Sequence, residues 1–147
     1  GGFAIMPSTV RTKSGGLLTT IRMGKPNADI QLWRSDDLGQ TWQHVSAVTG
    51  NIGGNPPATV LLPDGRLCVT YGYRRKPTGM RARISADEGK TWQPEIVIRD
   101  DGFDGDLGYP RALVRPDGKL FTAYYYNGPR EEDRCIEGTF WTPPLTR

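Results

Sequence analysis

The chain has 147 residues, 36% of them hydrophobic, with 19 glycines and 12 prolines; it is long enough for one domain with a core, and its composition suits short strands joined by tight turns. A formal charge of +3, from 19 basic and 16 acidic residues without a Lys/Arg run, gives nucleic-acid binding little support and leaves an anionic small ligand compatible. No apolar run approaches the ~20 residues of a membrane-spanning helix, and neither Cys68 nor Cys135 has a second Cys or a His at metal-ligand spacing, so no metal site is expected.

Taken in chain order, the elements fall into three units about 50 residues apart. The first has Pro7, Gly15 and Leu17, the second Pro57, Gly65 and Leu67, and the third Pro110, Gly118 and Leu120, with identical offsets in each. A period near 50 belongs to propeller blades rather than to helical solenoids. Each unit opens with a hairpin. In the second, residues 59–62 meet the turn Pro63, Asp64, Gly65, and residues 67–71 return; Asp-Gly between apolar runs favours a hairpin because Gly accepts positive φ. Residues 30–33 and 81–84 then alternate as half-buried strands do. No stretch sustains a helical period. The expectation is an all-β propeller with three four-stranded blades, at approximately residues 3–52, 53–105 and 106–147, in a single domain.

A second element repeats in register. Ser35, Asp37, Gly39, Thr41 and Trp42 fit S-x-D-x-G-x-T-W, and so do Ser85, Asp87, Gly89, Thr91 and Trp92. In such a segment the carboxylate can accept backbone N–H groups within a tight turn, the Gly supplies a left-handed residue, and the Trp folds back over it. A structural role is expected for both aspartates. The third unit has Trp141 but no such segment. His44 is expected to be a surface residue. The acidic, Gly-rich residues 100–106 lack the terminal Glu spacing of an EF-hand, so no cofactor is expected and calcium has weak support. Of Tyr124, Tyr125 and Tyr126, alternation sends one or two toward the channel and packs the others between blades.

The paired motifs resemble the Asp-box, or bacterial neuraminidase repeat, and nearly the whole chain resembles the C-terminal three blades of the six-bladed sialidase superfamily. The resemblance implies retaining removal of terminal sialic acid by a Tyr nucleophile paired with a Glu, with three arginines on the substrate carboxylate; sialidases depart from the two-carboxylate glycosidase scheme in this way. It places the nucleophile at Tyr109, nine residues before Gly118, and carboxylate-binding arginines at Arg22, seven residues after Gly15, at Arg74, two residues further along its own repeat, and at Arg111. Pro110 replaces the family's Ser after the Tyr. Met6 stands where the family's Glu would be, Pro56 at the analogous place, and Glu95, Glu131 and Glu132 are not placed beside Tyr109. The acid/base Asp and the first Arg belong to the family's N-terminal half. The function implied is a sialidase-like glycoside hydrolase, incomplete as a lone chain, whose partner is a glycan or acidic sugar. The alternative is a noncatalytic carbohydrate-binding or scaffold propeller. Three blades leave open edges, so the expectation is a homodimer that closes a six-bladed ring or a missing N-terminal half. Cysteine usage does not distinguish secreted, periplasmic and cytoplasmic locations.

Overall fold

The computed structural model describes residues 2–53, 55–128 and 134–145. It holds eleven strands and no helix among these residues, so no helix is long and apolar enough to cross a membrane. Strands β1 (Ala4–Arg11), β2 (Leu17–Met23), β3 (Ile30–Ser35) and β4 (Gln43–Ala47) form one antiparallel sheet in sequence order. β5 (Pro57–Leu61), β6 (Leu67–Tyr73), β7 (Gly79–Ser85) and β8 (Ile96–Arg99) form a second of the same order. The third contains β9 (Gly108–Val114), β10 (Leu120–Tyr126) and β11 (Cys135–Trp141).

The third sheet corrects the expectation of four strands. Among the described residues it has three. Pro143 and Pro144 follow β11 almost at once, and a residue without an N–H cannot donate to a ladder. The Pro144 carbonyl turns away to accept from the Arg66 guanidinium at 2.7 Å. In the other two sheets the outermost strand follows an Asp turn, which the third unit lacks.

The cores lie between sheets. Leu18, Ile30, Leu32 and Val48 of the first unit pack on Leu67, Val69 and Tyr71 of the second. Cys68, Ala82 and Ile84 pack on Leu120, and Met80 packs with Leu107, Tyr124 and Tyr126. Alternation on β6 explains the division. Leu67, Val69 and Tyr71 face back toward the first sheet, whereas Cys68 faces forward; burial pushes its thiol up to about 12, which makes it a small inert hydrophobe. The innermost strands are stitched by hydroxyls. Thr20 Oγ1 meets Thr59 Oγ1 at 2.6 Å, and the Thr59 N–H donates to Ser8 Oγ at 2.9 Å.

One end of the sheets is built from turns. In the three hairpins Gly15, Gly65 and Gly118 take positive φ and donate back to Thr12, Leu62 and Arg115. Both Asp turns share one hydrogen-bond pattern. Asp37 Oδ1 accepts from the Ser35 hydroxyl at 2.7 Å and the Thr41 N–H at 2.9 Å, and Oδ2 accepts from the Thr41 hydroxyl. Asp87 is bound in the same way by Ser85 and Thr91. Hydrogen bonds from the threonines lead in holding both carboxyls down at about 2.

The tryptophans part company. Trp42 is 38% exposed and donates to the Gly39 carbonyl of its own turn. Trp92 packs on the core of the preceding sheet and donates to Ser46 Oγ at 3.0 Å, while Ser46 Oγ donates to the Gly89 carbonyl. The second turn is thereby fastened to the first sheet. A Cβ on Gly89 would lie 1.9 Å from a Leu32 methyl, whereas one on Gly39 would meet nothing closer than 3.7 Å.

Candidate functional site

The opposite end of the sheets carries the residues of chemical interest. There the innermost strands β1, β5 and β9 line a cavity of about 570 Å³, with Met6, Pro7, Pro56, Pro57, Tyr109 and Arg111 among its walls. Met6, Pro56 and Tyr109 hold equivalent places in the repeat, each nine residues before its turn Gly. Equal offsets in stacked sheets therefore bring three different side chains to one opening.

Tyr109 owes its direction to an irregular backbone. Between the pairs Ala123↔Arg111 and Tyr125↔Gly108, Tyr109 and Pro110 oppose Tyr124 alone. The same two-against-one bulge occurs at Met6 and Pro7, opposite Ile21. Met6 (φ 57°) and Tyr109 (φ 51°) are both left-handed, which costs about 1 kcal/mol for a residue with a Cβ. A bulge re-aims a side chain, and here it leaves the Tyr109 ring 41% exposed at the mouth. The preceding Gly108 takes φ 118°, and a Cβ there would lie 2.7 Å from Asn55 Oδ1. Asn55 is fully buried and donates to the Gly72 carbonyl at 3.0 Å. This wedge sets the height of Tyr109.

Arg22, at the end of β2, brings Nη1 to 3.4 Å from the Tyr109 hydroxyl and 3.8 Å from Met6 Sδ. Arg74, just past β6, donates from Nη2 to the Tyr125 hydroxyl at 3.2 Å and to the Leu107 carbonyl at 3.5 Å. Arg111 lines the cavity and donates to the Pro110 carbonyl. Among the described residues none of these three arginines is within ion-pair distance of a carboxylate, and the buried Nε atoms of Arg22 and Arg74 have no hydrogen-bond partner. Arg22 and Arg74 reach the hydroxyls of Tyr109 and Tyr125 and Arg111 lines the cavity, with Asp106 near enough to Arg74 for their charges to interact; guanidinium N–H groups can grip a carboxylate in pairs.

Tyr125 is the residue that sequence reasoning did not single out. Its ring lies 5.6 Å from that of Tyr109, tilted by 50°. Its hydroxyl donates to Asp106 at 2.8 Å while accepting from Arg74. Burial first, then the bond to Asp106, push it up to about 12, so it stays protonated and works as a donor. Alternation along β10 narrows the choice to Tyr125, because Tyr124 and Tyr126 are buried between sheets; no sequence pattern showed that Tyr109 would meet it.

Other candidates lie elsewhere. Glu95 accepts from the Tyr71 hydroxyl at 2.7 Å and pairs with Arg81 at 3.5 Å. Glu131 and Glu132 lie outside the described residues. In the acidic loop Asp101 pairs with Arg99, and Asp104 and Asp106 pair with Arg134. Among the described residues no three His, Cys, Asp or Glu side chains converge as a metal would require. His44 bonds Gln31 on the first sheet.

A family model described as BNR repeat-like domain matches residues 2–122. No curated protein matches the chain in sequence. Among solved structures, a protein of unknown function from Dyadobacter fermentans is 32% identical with a TM-score of 0.78, over 95% of this chain and 38% of its own. The α-L-arabinofuranosidase of Fusarium graminearum is 18% identical with a TM-score of 0.73, over 95% of this chain and 45% of its own. A Hadza microbial sialidase is 20% identical with a TM-score of 0.64, over 94% of this chain and 35% of its own. The chain thus spans less than half the length of each, and the likeness to the two glycosidases is one of fold.

Proposed function

We propose, from the premise that the chain belongs to the BNR repeat-like domain family, that its mouth binds the terminal acidic sugar of a glycan and serves a sialidase-like exo-glycosidase. The observation that carries this reading is the approach of the Arg22 guanidinium to the Tyr109 hydroxyl at 3.4 Å, beside Arg74 and Arg111, with no carboxylate pairing these arginines among the described residues. The arginines hold the sugar carboxylate. Tyr109 attacks the anomeric carbon, forming a C–O bond as the glycosidic C–O bond breaks, and a proton equivalent to the one the phenol gives up leaves on the aglycone oxygen. Water then displaces the phenol and completes retention. A phenol suits this task because a carboxylate nucleophile would be repelled by the sugar's own charge. Tyr125, held by Asp106, positions Arg74.

The test is hydrolysis of aryl glycosides of N-acetylneuraminic acid, glucuronic acid and arabinofuranose by the intact protein, wild type and Tyr109→Phe. Turnover of an acidic glycoside should fall by about a thousandfold or more in the variant, with its melting temperature unchanged. Undiminished turnover in Tyr109→Phe would discard the mechanism.

A second reading is favoured by Met6. An apolar thioether, its Sδ 3.8 Å from Arg22, occupies the place of the activating Glu, which suits a mouth that binds acidic glycans without cleaving them. Saturable binding of the same sugars in a calorimetric titration, with no product, would select it. The expected homodimer or the remainder of a longer propeller belongs with either reading, since both complete the ring around the mouth.

A further inference from the structure

A second cavity, of about 550 Å³, opens on the flank of the first sheet, and its walls include Phe3, Lys25, Asp29, Gln31, Trp33 and His44. We infer that it binds a neutral sugar ring next to the mouth, an inference that rests on the glycan reading above. The polar residues form a chain. His44 Nε2 and Gln31 Oε1 are 2.6 Å apart, and the Gln31 amide donates to Asp29 Oδ2 at 2.5 Å. The other Asp29 oxygen, in a side chain only 6% exposed, accepts no hydrogen bond, and the Trp33 indole N–H has no acceptor. An orphaned carboxylate oxygen and an orphaned indole N–H beside one cavity are costly when left unmet. Sugar hydroxyls donate and accept at once, which matches a wall that presents carboxylate, amide and imidazole groups together. The aromatic walls, with Trp33 and His44 edge to face at 5.2 Å, offer the apolar contact that sugar C–H groups need. Asp29 and Lys25 both stand in the wall, so the cavity carries no net charge to draw an anion, in contrast to the mouth.

The repeat itself marks the place. Fifty residues on, Asp29, Gln31, Trp33 and His44 become Gly79, Arg81, Arg83 and Pro94. In the second sheet the Arg81 side chain fills the corresponding space, donating to the Pro77 carbonyl at 3.0 Å, pairing with Glu95 and lying over the Tyr73 ring at 5.1 Å. The first sheet keeps it open. Phe3 joins the two cavities, since it lines the flank and lies under the Arg22 guanidinium at 5.4 Å, while Arg22 reaches Tyr109. A glycan whose acidic end sits in the mouth can therefore direct its next, neutral ring toward Trp33.

The experiment follows the Trp33 indole N–H by NMR in the intact protein, assigned with Trp33→Phe. Galactose, glucose, arabinose and xylose are the neutral probes, N-acetylneuraminic acid the acidic one, and sialyllactose the joined one. At least one neutral sugar at millimolar concentration should move the indole resonance, and N-acetylneuraminic acid should not. Trp33→Ala should weaken sialyllactose binding by about tenfold and leave N-acetylneuraminic acid binding as it was. An indole resonance unmoved by all four neutral sugars overturns the inference. Failure of N-acetylneuraminic acid to bind, with a neutral sugar still moving the indole, removes the mouth reading and leaves the flank site standing.

Discussion

At the hairpin end of the sheets, charge is neutralised locally. Arg34 pairs with Asp36 and Glu88, Arg66 with Asp64, and Arg115 with Asp117, while Asp37 and Asp87 are enclosed by hydroxyls and backbone N–H groups. At the mouth end, Arg22, Arg74 and Arg111 meet phenols and carbonyls instead, and two of them bury an Nε without a partner. The mouth end has closed pairs too, Asp101 with Arg99 and Asp104 and Asp106 with Arg134, but among the described residues these three arginines stand outside them. Hydrogen bonds that close on themselves stabilise the fold; donors aimed at an opening are held ready for a ligand.

The comparison breaks most sharply if substitutions at the two ends have the same effect. The largest difference is expected for Arg22→Ala combined with Arg74→Ala. Calorimetric titration of an acidic sugar should show affinity lower by about a hundredfold or more, from losing charge-assisted bonds of ~1.5–3 kcal/mol each, with no fall in melting temperature. A collapsed melt with intact binding would reverse the assignment of the two ends. Next comes Gly89→Ala against Gly39→Ala in denaturant unfolding. Both require positive φ, at about 1 kcal/mol, but the methyl on Gly89 must also displace Leu32, so a total of about 3 kcal/mol is expected there.

Asp87→Ala should cost about 1–2 kcal/mol through the loss of its turn bonds and leave sugar affinity unchanged. Acid provides a finer probe. Both turn carboxyls lie below their ordinary 3.8, at about 2, so the folded state binds these protons less readily than the unfolded one. Their stabilisation is present above pH ~4 and is lost as pH falls toward ~2. The melting temperature should fall over that window, and less steeply in Asp37→Asn with Asp87→Asn. The smallest effect, within about 0.5 kcal/mol, is expected for Trp42→Phe; Trp92→Phe, which loses the bond to Ser46, should exceed it.

Much of the hairpin end was legible in the sequence because it is local. Asp, Gly and Trp within eight residues define their own turn, and both copies form it. Arg22 and Tyr109 stand at different offsets, seven residues after Gly15 and nine before Gly118, and the resemblance alone pointed to both; they approach where the end of β2 faces the start of β9. Tyr125 and Asn55 were less legible, because their partners lie on other strands: Tyr125 stands at the repeat position of Arg22, seven residues after Gly118, but a different side chain fills it. Tyr125 meets Tyr109 only because the bulge at Tyr109 and Pro110 turns that ring, and Asn55 matters only through Gly72 and Gly108, one on each neighbouring sheet. The strand count of the third unit went astray because it was carried over from the first two, whose outer strands each follow an Asp turn.

The fastening of Trp92 to Ser46 gives the array a direction. The second sheet laps the first like a roof tile, so the first is the course on which the second is laid. Removing a later tile would leave earlier ones lapped as before, whereas stripping the first would bare the indole and the apolar face of its successor together. For this pair the order of synthesis, first sheet before second, is also the order in which the overlap can be laid.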